Sequence, residues 1–211
     1  MKYLRKLLSS YLKPFREVSY SQLGEDRILE HVFKGKNEGV YIDIGANDPI
    51  VYSNTYLLYQ KGWHGLCIDP NPQFQEDYKK VRPKDTFVNS AVGNSNASVY
   101  FQMNEDHRTS KIVDVMDQNT KEIKTVPLNE IIETNNLHDK IDLMNIDVEG
   151  YELQVLESLS FDKHSPEVIL IEIHNNSLDE LSKDEVYKYL CSKGYELFAV
   201  TIITAFFRKK H

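Results

Sequence analysis

Two short apolar segments that lead into acidic residues constrain the fold of this chain most. Residues 40–44 read VYIDI and run into Gly45, and residues 66–68 read LCI and run into Asp69, which lies 24 residues after that glycine. A strand that ends at a glycine turn, followed by a second strand that ends at an acid, is typical of a βαβ unit that binds a nucleoside. We therefore expect a nucleoside-cofactor cleft at the carboxyl ends of these two strands.

The glycine content of the first turn narrows the choice of cofactor. A dinucleotide site uses three glycines, in the pattern GxGxxG, so that a pyrophosphate can approach the backbone. Residues 45–50 read GANDPI and supply only Gly45. The sequence therefore favours a cofactor that lacks a pyrophosphate over a nicotinamide dinucleotide, and S-adenosylmethionine meets that description.

Strand and helix patterns alternate along the chain, which predicts a parallel sheet covered by helices on both faces. After the first two strands, further strands are predicted at 86–92, 98–103, 141–147, 168–174, 195–200 and 202–207. Helices are predicted from Ser21 towards the first strand and at 53–60, 74–81, 126–135, 151–159 and 179–193. The last two strands are too close together for a helical crossover, so the last must run antiparallel to its neighbour.

Composition limits the class of protein. A chain of 211 residues with 41% hydrophobic content can form one α/β domain and has no room for a second. Cys67 and Cys191 fit neither a disulfide framework nor a zinc site, so we expect reduced thiols and a cytoplasmic protein. No apolar run is long enough to span a bilayer, and no signal peptide is evident. The net charge of −7 makes nucleic acid a poor partner.

Residues 1–19 form a basic segment ahead of the domain, which we expect to span residues 20–211. Five lysines and arginines lie in the first 16 residues, and the apolar residues between them recur at helical spacing. This pattern predicts an amphipathic helix. It would pack on its own domain or on a second subunit, or else lie on anionic lipid at the inner membrane surface.

Several blocks of sequence together resemble the FkbM-type methyltransferases, a family of S-adenosylmethionine-dependent O-methyltransferases. The blocks are YSQLGED at 20–26, YIDIGAND at 41–48, SNTYLLY at 53–59, GWHGLCIDPNP at 62–72, NSAV at 89–92, IDVEGYE at 146–152 and VLESL at 155–159. Many members carry a second glycine after the first turn, where this chain has Asp48 and Pro49. The resemblance implies the class I methyltransferase fold, a Rossmann-like, seven-stranded and mostly parallel sheet with an antiparallel last strand. It also implies methylation of a hydroxyl on a sugar, glycan or related metabolite.

Ligands of open α/β sheets bind at the carboxyl ends of the strands, so acids there are candidate cofactor contacts. We expect Asp69 to accept hydrogen bonds from the ribose hydroxyls, with a helix N-cap as the alternative role. We expect Asp43 either to contact the cofactor ammonium or to brace the turn at Gly45 and Asn47. The resemblance further implies that Ser90 and Ala91 contact the adenine of the cofactor. It also implies that Gln22 and Glu25 contact the methionine end.

The N-terminal block also has a simpler explanation, because Ser21 with Glu25 is equally typical of the start of an ordinary helix.

Four side chains that could support methyl transfer close two adjacent predicted strands. Asp147 and Glu149 follow one strand, and Glu172 and His174 end the next. An alcohol must lose its proton to accept a methyl group, so we hypothesise that Asp147 or His174 is the base, with Glu149 beside it. The position of Asp147 also makes it a cofactor contact. The alternatives are a divalent metal held by Asp147, Glu149 and Glu172, and a histidine with no role beyond the surface.

The polar loop at 104–110 is a candidate substrate lid. Within it, His107 and Arg108 would either contact an anionic group of the substrate or remain solvated charges.

Two rival functions stay open. Tyr189 and Lys193 match the YxxxK spacing of short-chain reductases, although we expect Lys193 at the edge of the sheet opposite the cleft. In the other rival, the domain is a non-catalytic scaffold and residues 1–16 bind a membrane or a partner surface.

Overall fold

The computed structural model describes residues 18–104, 110–113, 115–137, 140–173 and 177–210. In chain order, the strands are β1 (Val40–Ile44), β2 (His64–Ile68), β3 (Thr86–Val88), β4 (Ala91–Val92), β5 (Ser98–Gln102), β6 (Lys111–Val113), β7 (Thr120–Val126), β8 (Leu143–Ile146), β9 (Val168–Glu172), β10 (Tyr195–Val200) and β11 (Thr204–Lys209). The α-helices are α1 (Glu25–Val32), α2 (Tyr56–Gln60), α3 (Gln75–Val81), α4 (Leu128–Thr134), α5 (Glu152–Glu157), α6 (Leu178–Leu181) and α7 (Glu185–Ser192). A short 3₁₀ helix, Pro72–Phe74, precedes α3.

The larger sheet has seven strands in the order β10-β11-β9-β8-β1-β2-β3. Its strands are parallel except β11, which pairs antiparallel with both β9 and β10. The predicted fold class is therefore confirmed, including the antiparallel last strand. Strand order reverses at β1, which lies between β2 and β8. In sheets of this kind the crevice at such a reversal is where ligands bind.

Both faces of the sheet are covered, as the unbroken apolar patterns of the central strands predict. All five residues of β1 are buried. Ile42 and Ile44 pack on one face against a core that includes apolar side chains of α4, α5 and α7. Tyr41 packs on the other face with side chains of α1, α2 and α3. This packing fixes the central strands, whose carboxyl ends carry the candidate site.

The predicted strand at 86–92 is wrong in its extent, because its last residues belong to a second, four-stranded sheet in the order β4-β7-β5-β6. That strand ends at Val88, and the chain bends because the Asn89 side chain and the Ser90 backbone N–H both donate to the carbonyl of Asp69, at 2.9 and 3.2 Å. It resumes at Ala91, which pairs with Thr125 of β7. Strands β6 and β7 were not predicted.

The predicted helix at 179–193 is also wrong in its extent, because the structure divides it into α6 and α7. Asp184 has an extended backbone, and its side chain accepts a hydrogen bond from the N–H of Val186 at 2.8 Å. An aspartate in this position is a strong N-cap, so it starts a new helix.

Some predictions cannot be compared with the structure. The basic helix at 1–16 and the lid residues His107 and Arg108 lie outside the described residues. Over the part of the chain that is described, no helix has both the length and the apolar character needed to cross a membrane. Cys67 and Cys191 are both free thiols, as expected.

Candidate active site

A cleft opens at the carboxyl ends of β1, β8 and β9. It collects many of the residues selected from the sequence: Gln22, Glu25, Asp43, Gly45, Asn47, Asp147, Glu149 and Glu172. Ser110, the last residue of the predicted lid, also lines it, and sequence reasoning missed the rest of its wall, which comprises Ala46, Tyr52, Asn54, Asn145, Ile203 and Thr204. Acids from different parts of the chain meet here because parallel strands end at the same edge of the sheet.

The turn after β1 brings the backbone into the cleft wall. Gly45 has a φ of +76°, and a Cβ atom built on it would lie 1.7 Å from the carbonyl oxygen of Asp147. The N–H groups of Gly45 and Ala46 both donate to the carbonyl of Ile68, at 2.9 and 3.2 Å. Only glycine fits where the ends of β1 and β8 approach this closely.

We expect Gly45→Ala to destabilise the fold by more than about 3 kcal/mol, because it combines an overpacked contact with an unfavourable φ. Urea unfolding followed by circular dichroism measures this change. Gly150→Ala is the matched control, since Gly150 has a φ of +101° and no atom within 4 Å of an added Cβ. Equal losses in the two variants would show that the contact with Asp147 is unimportant.

Asp43 is buried within β1, yet it reaches the cleft wall. Its carboxylate accepts hydrogen bonds from the Thr55 hydroxyl at 2.5 Å and from the side-chain amide of Asn145 at 2.8 Å. The Asn145 oxygen in turn accepts from Asn54 at 3.0 Å. Burial raises the pKa of Asp43, while the Arg82 charge and these two hydrogen bonds lower it. The carboxylate is thus held in one orientation.

The N-terminal block reaches the same cleft through Gln22 and Glu25. Glu25 is buried at the start of α1, and one of its carboxylate oxygens accepts a hydrogen bond from the Thr201 hydroxyl at 2.9 Å. Its other oxygen accepts from the Leu23 N–H at 2.8 Å. Gly24, rather than Ser21, is the N-cap residue of this helix. The block therefore joins the first helix to the turn before β11.

Asp69 lies behind the cleft wall and does not line it. One of its oxygens accepts from the Asn47 N–H at 3.0 Å, and the other accepts from the Asn71 N–H at 2.8 Å. Burial raises the pKa of Asp69 to about 6. Asp69 braces the turn that carries Asn47, so part of its role is structural. Ser90 and Ala91, the predicted adenine contacts, also lie outside the cleft lining.

Asp147, Glu149 and Glu172 form a carboxylate cluster on the cleft wall, in which one oxygen from each lies within 4.8 Å of the others. Strand β8 ends at Ile146, and Glu149 has a φ of +56° in the turn that follows. This left-handed turn keeps Glu149 beside the other two acids after the strand has ended. The cluster is the arrangement that the sequence predicted, while His174 lies outside the described residues.

Like charges at this distance oppose one another's ionisation, so they raise the pKa values of the carboxylate cluster. Burial raises the pKa of Asp147 well above its usual value, and the neighbouring charges of Glu172 and Glu149 raise it further. Burial also raises the pKa of Glu172, although its hydrogen bond with Asp147 opposes this effect. These raised pKa values favour a state in which Asp147 and Glu172 share a proton. Such a cluster can exchange a proton with a bound group, and its oxygens also suit a divalent cation.

The residues that matched a reductase pattern lie elsewhere. Neither Tyr189 nor Lys193 lines the cleft. The Tyr189 hydroxyl is 3.4 Å from the carbonyl of Leu156, and the Lys193 ammonium lies 5.1 Å from the centre of the Tyr189 ring. This pair belongs to the packing of α7.

A model of the family described as the methyltransferase FkbM domain matches residues 43–197. A search of the curated proteins found no significant match.

Similar solved structures include a TehB-like SAM-dependent methyltransferase from Corynebacterium glutamicum, with 14% identity, a TM-score of 0.47, and 99% of this chain and 97% of that chain covered. Another is a Staphylococcus aureus protein described as a caffeoyl-CoA O-methyltransferase, with 9% identity, a TM-score of 0.45, and 99% and 91% covered. A third is the small RNA methyltransferase HEN1, with 13% identity, a TM-score of 0.41, and 94% of this chain but 27% of that chain covered.

Proposed function

The chain belongs to the FkbM methyltransferase family, which uses S-adenosylmethionine, and we propose that its acceptor is a hydroxyl group of a sugar, glycan or related metabolite. The matched residues, 43–197, include the glycine turn after β1 and all three acids of the carboxylate cluster. That cluster is the observation that carries the choice of acceptor. An alcohol needs a base to remove its proton, and the cluster provides carboxylates whose pKa values are raised above their usual values.

The cleft wall suits the charges of the methyl donor. S-adenosylmethionine, when bound, supplies a methyl group activated by a positively charged sulfonium, and it also carries an ammonium group. The acidic wall offers Asp43 and Glu25, with Gln22 beside them, to these positive charges. The backbone at Gly45 lies in the same wall. We further propose that Asp69 binds the ribose and that Ser90 and Ala91 lie near the adenine.

In this proposal the carboxylate cluster removes the acceptor proton. Asp147 is the central residue, because it shares its proton with Glu172 and lies beside Glu149. A base placed in this way accelerates proton transfer by about 10²- to 10⁴-fold. His174 follows β9 by two residues and remains a predicted second base.

The proposed function is tested by incubating the purified protein with S-adenosylmethionine that carries a trideuterated methyl group, together with sugars, glycans and a metabolite extract. We expect a product heavier by one labelled methyl group, which fragmentation mass spectrometry places on oxygen. A label found on nitrogen or carbon would contradict the proposed acceptor class. The absence of both methyl transfer and donor binding would contradict the whole proposed function.

We expect Glu149→Gln to shift the acidic limb of the pH–rate profile to lower pH. The Glu149 charge raises the pKa of both Asp147 and Glu172, so its removal lets the pair lose its proton at lower pH. Activity then rises earlier as the pH increases. The measurement is the initial rate against pH for the two proteins. If the acidic limb stays at the same pH, the Glu149 charge does not influence the group whose titration sets the rate.

A divalent metal at the carboxylate cluster is the second candidate mechanism, because Mg²⁺ and Mn²⁺ prefer oxygen ligands of this kind. We expect dialysis against EDTA to leave the rate unchanged, since the proposed base needs no metal. A rate that falls on dialysis and recovers with added Mg²⁺ or Mn²⁺ would replace the base mechanism with a metal mechanism.

A further inference from the structure

Arg82 is fully buried at the end of α3, although arginine is rarely found without contact to solvent. Each nitrogen of its guanidinium group has an acceptor. Nε donates to Asp85 at 2.6 Å, Nη1 to the Pro49 carbonyl and the Ser53 hydroxyl at 3.4 and 3.2 Å, and Nη2 to the hydroxyls of Tyr41 and Thr55 at 2.7 and 2.9 Å. All five N–H groups of the side chain are thus used.

The charge of Arg82 is well compensated. Asp85, whose side chain is also fully buried, is its ion-pair partner. The rings of Tyr41, Tyr59 and Tyr78 surround the guanidinium group, with centres 5.4, 5.4 and 5.2 Å from Cζ. The group is therefore held in one position by an ion pair and by aromatic faces.

The Thr55 hydroxyl connects Arg82 to the cleft. A hydroxyl has a single proton, and the Thr55 proton is donated to the Asp43 carboxylate at 2.5 Å. The same oxygen accepts from Nη2 of Arg82 at 2.9 Å. The direction of both hydrogen bonds is thereby fixed, and the chain of contacts ends at a carboxylate on the cleft wall.

The Tyr41 hydroxyl also accepts from Arg82, but its own hydrogen bond leads to the core and not to the cleft. The Tyr41 hydroxyl accepts from the same Nη2 atom at 2.7 Å, but it donates its proton to Asp85. Thr55 and Tyr41 thus make equivalent bonds to Arg82, and only the Thr55 bond continues to Asp43. The Pro49 and Ser53 contacts of Arg82 also hold the segment that brings Asn54 to the cleft wall.

We propose that Arg82 is a positioning residue that acts through Thr55 to fix the Asp43 carboxylate for the S-adenosylmethionine cation. This inference depends on the proposed function in that Asp43 contacts the methyl donor. The Arg82 charge and the Thr55 hydrogen bond both favour ionised Asp43, against the effect of its burial. The residue therefore supports cofactor affinity from behind the cleft wall.

The test compares Thr55→Val with Tyr41→Phe, because each removes one hydroxyl that accepts from Nη2 of Arg82. Titration calorimetry measures the affinity for S-adenosylmethionine, and thermal unfolding measures the cost to the fold. We expect Thr55→Val to weaken binding about tenfold and Tyr41→Phe to change it less than about twofold. Thr55→Ser, which restores the hydroxyl, is expected to recover most of the affinity.

Equal affinities in Thr55→Val and Tyr41→Phe would overturn the inference, as would a Thr55→Ser variant that binds no better than Thr55→Val. A loss of affinity that follows the loss of thermal stability in both variants would show that Arg82 is only a core residue. Failure of the proposed function gives a different result, because the unmodified protein would then not bind S-adenosylmethionine at all.

Discussion

Replacing Asp147 with asparagine is expected to slow methyl transfer by about 10²- to 10⁴-fold while S-adenosylmethionine binding falls much less. Asparagine keeps the shape of a protonated carboxyl group and can still donate a hydrogen bond to Glu172. It cannot take up or release a proton in the range where the cluster titrates. Single-turnover transfer rates and calorimetric affinities, measured on the same preparations, separate the two effects.

A matched control for Asp147→Asn is Glu157→Gln. Glu157 is an exposed carboxylate at the end of α5, and it does not line the cleft. This control makes the same carboxylate-to-amide change at an exposed position, so it accounts for any general effect of such a substitution. Unchanged turnover in the Asp147 variant would exclude this residue as the base and leave His174 as the remaining prediction.

Replacing Asp69 with asparagine is expected to weaken S-adenosylmethionine binding by about 100-fold, because two effects combine. The carboxylate accepts from the N–H groups of Asn47 and Asn71, which hold the turn. In our proposal it also accepts from the ribose, and each hydrogen bond to a charged group is worth about 1.5 to 3 kcal/mol. Titration calorimetry of the two proteins measures the total loss.

An analogue of the methyl donor that lacks the ribose 2′-hydroxyl separates these two roles of Asp69. If the carboxylate binds the ribose, the substitution weakens the analogue less than it weakens the natural compound. If Asp69 only braces the turn, both ligands lose the same factor, and the ribose contact must be abandoned.

The central strands could be predicted from the sequence because burial on both faces makes their apolar runs continuous. The prediction for β1, residues 40–44, agrees with the structure, and β2 ends at Ile68, one residue before the predicted end at Asp69. The second sheet could not be predicted in the same way. Its β7 strand has the sequence TKEIKTV, contains only one buried residue, and is fixed by pairing with β4 and β5. Such strands depend on tertiary context more than on their own pattern.

The acidic part of the candidate site could also be predicted from the sequence, because acids at the carboxyl ends of parallel strands lie at the same edge of the sheet. Asn145 was missed, although an asparagine inside the apolar strand LMNI was a signal that a buried polar contact is present. Tyr52, Ile203 and Thr204 lie in turns or at strand starts, and their approach to the cleft depends on how distant segments pack. The bracing role of Asp69 depends on backbone N–H groups, which residue identity does not reveal.

The tie between Glu25 and the turn before β11 has a consequence for biosynthesis. The Glu25 carboxylate meets the hydroxyls of Thr201 and Thr204 across 176 and 179 positions of the chain. While the ribosome is still translating, the first helix emerges long before its partner does. The wall of the candidate cleft therefore cannot be completed until residues 201–204 have left the exit tunnel. Contacts this distant in sequence also slow folding, because the entropy cost of closing a long loop comes before the contact that compensates it.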